Sequence, residues 1–121
     1  MIGSTRSVRV FAYRKPVDMR RGFDGLYALV LEELGRDPLN GDIFVFVSKD
    51  RRRAKALMWD GTGLCLFSKR LEVGRFVRLT DPAPGTELQM TVTELQLLLE
   101  GSHAIGKTAL SPAILDTSCL A

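Results

Sequence analysis

The pattern of apolar and polar positions divides this chain into short strands and two helices. Val8 to Tyr13 partly alternates and is rich in strand formers, which predicts a strand ending before Pro16. Beyond it Met19, Phe23, Leu26, Tyr27, Val30, Leu31 and Leu34 recur at helical spacing. They predict a helix with Asp18 as its N-cap and Gly35 as its stop, Pro38 lying beyond. Gly22 and Gly25 weaken the first turns of such a helix by roughly 1 kcal/mol each relative to alanine. A close backbone approach is expected there, either packing against a sheet or a phosphate at the helix N-terminus.

Ile43 to Val47 is apolar on both pleat faces, which suits a central strand covered on each side or a strand at an interface between copies of the chain. Ser48 to Arg53 connects it to a returning strand, Ala54 to Trp59. Asp60-Gly61 then predicts a two-residue type I′ turn into Thr62 to Ser68, since both residues tolerate positive φ. Glu72-Val73-Gly74 reads as a turn before a strand from Arg75 to Leu79, Asp81 to Gly85 as a loop, and Thr86 to Met90 as an edge strand. Thr91 with Glu94 makes a capping box for a helix from Val92 to Glu100, with Leu95, Leu98 and Leu99 facing inward and Gly101 at its end. The expected fold is α+β: an antiparallel β-meander of about five to six strands, a longer helix after the first strand and a short C-terminal helix. It occupies residues 1–101, and residues 102–121, without aromatics or periodicity, are expected to form a poorly ordered tail.

Composition agrees with one domain: 121 residues, 45% of them hydrophobic and 26% charged, is ordinary globular usage rather than that of a disordered chain. No apolar run reaches the roughly 18 residues of a membrane span, and a cytoplasmic protein is expected. Two cysteines make neither a disulfide framework nor a metal cluster, and Cys65, inside a strand, is expected to act as a small core hydrophobe. Charge is more telling. Residues 49–78 carry nine Lys/Arg against three Asp/Glu, whereas residues 79–121 carry one against five. Such asymmetry is an argument about partners, and it points to a polyanion meeting the middle of the chain.

The residues for that contact are Lys49, Arg51, Arg52, Arg53 and Lys55, in and just after a hairpin loop, with Lys69, Arg70 and Arg75 near the far end of the next strand and Arg78 beyond. The two groups need not share one end of the sheet. Guanidinium forks suit phosphate oxygens, and a row of them neutralises a nucleic-acid backbone without reading bases; the alternatives are a solvated rim and a docking surface for an acidic protein. Arg20 and Arg21 are candidates for further phosphate contact, and Trp59, beside the hairpin turn, for base stacking, although strand alternation favours a core role for the aromatics. No catalytic arrangement stands out. The sole histidine, His103, lies in the tail, and Asp18, Asp24, Asp42 and Asp60, the one candidate set for gathering round a metal, each have a simpler duty in a cap, a turn or an ion pair. The chain is therefore read as non-enzymatic, with no cofactor and no metal.

Three segments carry a resemblance. They are Asp18-Met19-Arg20-Arg21-Gly22-Phe23-Asp24-Gly25-Leu26, the run from Asp37-Pro38-Leu39-Asn40-Gly41-Asp42 to Phe46, and the run from Trp59-Asp60-Gly61-Thr62-Gly63 to Phe76. In this order they resemble the TnpB accessory proteins of IS66-type bacterial insertion sequences, from about Val8 to Gly101. Members usually continue with a tryptophan and arginines, where this chain has Ser102-His103-Ala104-Ile105-Gly106-Lys107. The resemblance implies a non-catalytic factor that assists a separate transposase, with the transposase and the DNA of the element ends as partners and a homo-oligomer left open. The alternative is a module that assembles the transposase complex without touching DNA.

Overall fold

The computed structural model describes residues 8–79 and 85–101. The elements are β1 (Val10–Tyr13), α1 (Phe23–Glu32), β2 (Ile43–Val47), β3 (Arg53–Trp59), β4 (Leu64–Arg70), β5 (Glu87–Met90) and α2 (Val92–Leu99). The five strands form one sheet in the order β4-β3-β2-β1-β5. It is mixed rather than a pure meander, because β1 runs parallel to β2 (Phe11 opposite Phe44) while the other neighbours are antiparallel. Two adjacent parallel strands need a long crossover, and the stretch containing α1 supplies it.

The parallel pair is clipped at its start. The Asp42 carboxylate, fully buried, accepts from the Arg9 guanidinium at 2.9 Å. The Ile43 N–H donates to the Arg9 carbonyl at 2.9 Å. β2 is central and covered on both faces, as its unbroken apolar run requires. On one face Phe11, Tyr13, Phe44, Phe46 and Leu57 pack with Leu26 and Val30 of α1. On the other Val10, Ala12, Val45, Val47, Ala54 and Ala56 pack with Leu95 and Leu98 of α2 and with Phe76 and Leu79.

Several local expectations are corrected. Residues 71–79 form no strand, and the segment crosses the sheet face, anchored where the Phe76 N–H donates to the Arg51 carbonyl at 2.7 Å and by the fully buried Phe76 ring. α1 starts at Phe23 with Gly22 at its N-cap, because Asp18 is turned to the Arg20 N–H and guanidinium instead of capping the helix. Among the described residues nothing lies within 4 Å of a Cβ placed at Gly22, and the nearest atoms to a Cβ at Gly25 belong to the Arg21 side chain, at 3.1 Å. The β3–β4 loop places Gly61, at φ +105°, and Thr62 between Asp60 and Gly63, one residue later than expected; the Asp60 N–H donates to the Gly63 carbonyl. Asp60 orders this loop through its side chain, accepting from the Thr62 and Gly63 N–H groups at 2.9 Å each. Its carboxyl is thereby held down at about 2. Cys65 is exposed rather than in the core, its Sγ 3.4 Å from Asp60 Oδ2. Both α2 expectations stand: Thr91 and Glu94 form the capping box, and Leu95 and Leu98 are buried. The expected tail lies outside the described residues.

Candidate nucleic-acid interface

One end of the sheet collects cations from four separate stretches of chain. Because β1 and β2 are parallel, their carboxyl ends lie side by side and deliver Arg14-Lys15 and Ser48-Lys49 to the same place. β3 begins there and β4 ends there, with Arg53 directly opposite Arg70. The Leu71 N–H donates to the Arg52 carbonyl at 2.7 Å, which brings Arg75 and Arg78 back over the β2–β3 loop. The two basic groups of the sequence therefore share an end.

The β2–β3 loop is ordered by Ser48 and Asp50. The Arg51 N–H donates to the Ser48 carbonyl at 3.0 Å, the Ser48 hydroxyl donates to Asp50 at 2.6 Å, and the Arg52 N–H donates to Asp50 at 3.1 Å. The Ser48 hydroxyl bond, then the Arg52 N–H and the nearby Arg52 and Arg53 charges, pull the Asp50 carboxyl below its usual range. Arg51 follows at φ 59°, the sole non-glycine residue at positive φ among the described residues. That conformation normally goes to glycine. Its guanidinium is fixed on the Phe76 carbonyl at 3.1 Å.

The expected site residues divide into two sets. Some are engaged within the chain: Lys55 Nζ donates to the Met19 and Arg21 carbonyls at 2.8 Å each, and Lys69 Nζ to the Leu99 carbonyl at the end of α2 at 2.6 Å. Arg75 holds the Asp50 carbonyl at 3.1 Å, and Arg70 pairs with Glu72 at 3.0 Å. Arg20 forks onto Asp18, whose carboxyl falls to about 2 through those hydrogen bonds, and Arg21 reaches the Gly25 carbonyl. Lys49, Arg52 and Arg53 are exposed, and among the described residues their side chains make no hydrogen bond or ion pair. Trp59, half-buried, sits at the opposite end of β3 from Arg53, about 20 Å away at the usual strand rise. The structure does not bring it to the cations.

Arg78 stood among the candidates for the polyanion contact, whereas Arg14 and Lys15 were missed. Their signal was the order strand, helix, strand, which allows a parallel pair and would have placed the residues after both strands together. Among the described residues no group of three or more His, Cys, Asp or Glu is placed to hold a metal. No helix among them is long and apolar enough to cross a membrane.

By sequence the chain matches a recognised class of insertion-sequence proteins. Residues 8–108 match the family described as IS66 Orf2 like protein, TnpB of IS66 elements, and the chain belongs to that family. The match runs past Gly101 into the segment expected to depart from the family. Two proteins of Sinorhizobium fredii, y4jC and y4hO, each described as uncharacterized, are 44% and 40% identical over 101 residues, covering 84% of this chain and 85% and 86% of theirs. No solved structure matches.

Proposed function

We propose that the protein assists transposition of its insertion sequence as a non-catalytic factor that grips the phosphate backbone of element DNA with the basic end of its sheet, alongside a separate transposase. The observation that carries this reading is the convergence of Lys49, Arg52 and Arg53, uncommitted and exposed, with Lys15 and Arg78 at one end of the sheet. Arginine forks and lysines on a solvent-facing rim neutralise phosphates. Among the described residues the rim carries no helix positioned to enter a major groove, so contact positions the DNA without specifying sequence.

About five phosphate contacts give a slope of log K against log salt near -4 to -5 for duplex DNA. Changing Lys49, Arg52 and Arg53 together to alanine lowers that slope by about 2 to 3 and weakens binding alike for all sequences. A folded wild-type protein that binds no nucleic acid at low salt overturns the proposal. The half-exposed Phe67 on edge strand β4 favours a second reading, docking on the transposase itself. Binding that appears only when transposase is added selects that reading.

A further inference from the structure

Two concavities of different character meet at the basic end. A pocket of about 90 Å³ is lined by Arg14, Lys15, Lys49, Arg51 and Arg78 together with Tyr13, and among the described residues no carboxylate lines it. A wider groove of about 660 Å³ runs past Arg20, Lys49 and Arg53, and there Asp18 and Asp50 intersperse the cations. Ser48 and Lys49 belong to both, so the pocket opens into the groove.

Anions of different charge density suit these two places. A phosphodiester inside a strand carries one negative charge, and it tolerates neighbouring carboxylates if cations alternate with them. A terminal phosphate monoester carries about -1.5 to -2 near neutral pH and has three strong acceptor oxygens. It is repelled by carboxylates and favoured where several cations surround a confined space. The pocket also sits outside the carboxyl ends of the parallel strands β1 and β2, where open sheets with parallel strands commonly bind ligands. Arg51 is held in the pocket wall by a positive-φ backbone and the bond to the Phe76 carbonyl. Strain retained at such a position is a pointer to function.

We infer that this pocket receives the terminal phosphate of a nucleic-acid strand, and that the strand leaves it across Ser48 and Lys49 into the groove. The inference rests on the backbone-binding reading above and adds a substrate class to it: a phosphorylated strand end rather than the uniform side of a duplex.

The test measures anisotropy of one labelled oligonucleotide sequence, single-stranded and as a duplex with an overhang, bearing a 5′-phosphate, a 3′-phosphate or only hydroxyl ends, with the full chain. One of the two phosphorylated ends binds about tenfold tighter than the hydroxyl end, in keeping with one or two added charge-assisted hydrogen bonds, and which one it is fixes the polarity of the strand. Lys15→Ala with Arg78→Ala, both exposed positions, abolishes that preference: phosphorylated and hydroxyl ends then bind alike, all more weakly than to the wild type and with a shallower salt dependence, the remaining contacts coming from Lys49, Arg52 and Arg53. Arg53→Ala weakens all the oligonucleotides equally. Equal affinity of the wild-type protein for phosphorylated and hydroxyl ends, with salt-sensitive binding intact, overturns the inference and leaves the backbone-binding function standing. Absence of binding to every oligonucleotide overturns both.

Discussion

The two ends of the sheet use charge in opposite ways. At the end where β1 and β2 begin, charged groups are committed to the fold: Asp42 is buried against Arg9 and sets the parallel pair, and Asp60 Oδ1 accepts from the Thr62 and Gly63 N–H groups of its own loop. At the end where they finish, cations outnumber partners. Arg53 faces Arg70 across the β3–β4 ladder, although like charges directly opposite are destabilising. Arg51 occupies a conformation that glycine would adopt with less strain. Local choices that oppose the fold concentrate where something other than stability is served. The first end holds the molecule together, and the second, on the function proposed above, is kept available for a ligand.

Substitutions should therefore separate stability from binding. Arg9→Ala leaves the buried Asp42 carboxylate without its guanidinium and should destabilise the protein by about 3 kcal/mol, read by denaturant unfolding, with nucleic-acid affinity of the folded protein retained. A stability loss no greater than that of a surface change would break the comparison. Thr91→Ala removes half of the capping box of α2 and should cost about 1 kcal/mol, again without altering binding.

A smaller effect is expected from pH at Asp60. Its carboxyl is held at about 2, below the ordinary 3.8, so its contribution is present above the ordinary value and fades as pH falls toward 2. The melting temperature of Asp60→Asn should fall less steeply than the wild type between about pH 4 and pH 2. Parallel profiles would remove the carboxylate from the loop's stability. Smallest in stability is the triple change of Lys49, Arg52 and Arg53 to alanine, expected within about 0.5 kcal/mol of the wild type because these side chains make no hydrogen bond or ion pair among the described residues. Unfolding of that variant would assign the residues to the fold instead of to a ligand.

How far the sequence could be read follows from the range of the forces involved. The capping box of Thr91 and Glu94, the stop at Gly35, the covered strand at residues 43–47 and the β3–β4 hairpin are set by neighbours a few positions apart, and all are present. The loop at Asp60 shows the limit, for a side-chain acceptor shifted the turn by one residue. Asp18 was as good a cap by type as Thr91, but Arg20 two residues away took its carboxylate, and α1 began at Phe23 with Gly22 as its N-cap.

The basic stretch itself was plain from composition, and so was its suitability for a polyanion. Which cations stay available was not, since Lys55 and Lys69 are engaged by carbonyls more than 25 positions away. Tertiary structure alone decided the parallel pairing of β1 with β2, because strand direction depends on how the helical crossover packs and on the Arg9–Asp42 clip across 33 positions. That pairing carries Arg14 and Lys15 to Lys49 and makes a pocket from residues no local pattern connects. The sequence determined the elements and the sign of the charge, which act over a few residues; the fold decided where the charges meet, which depends on contacts that exist only once the chain is closed.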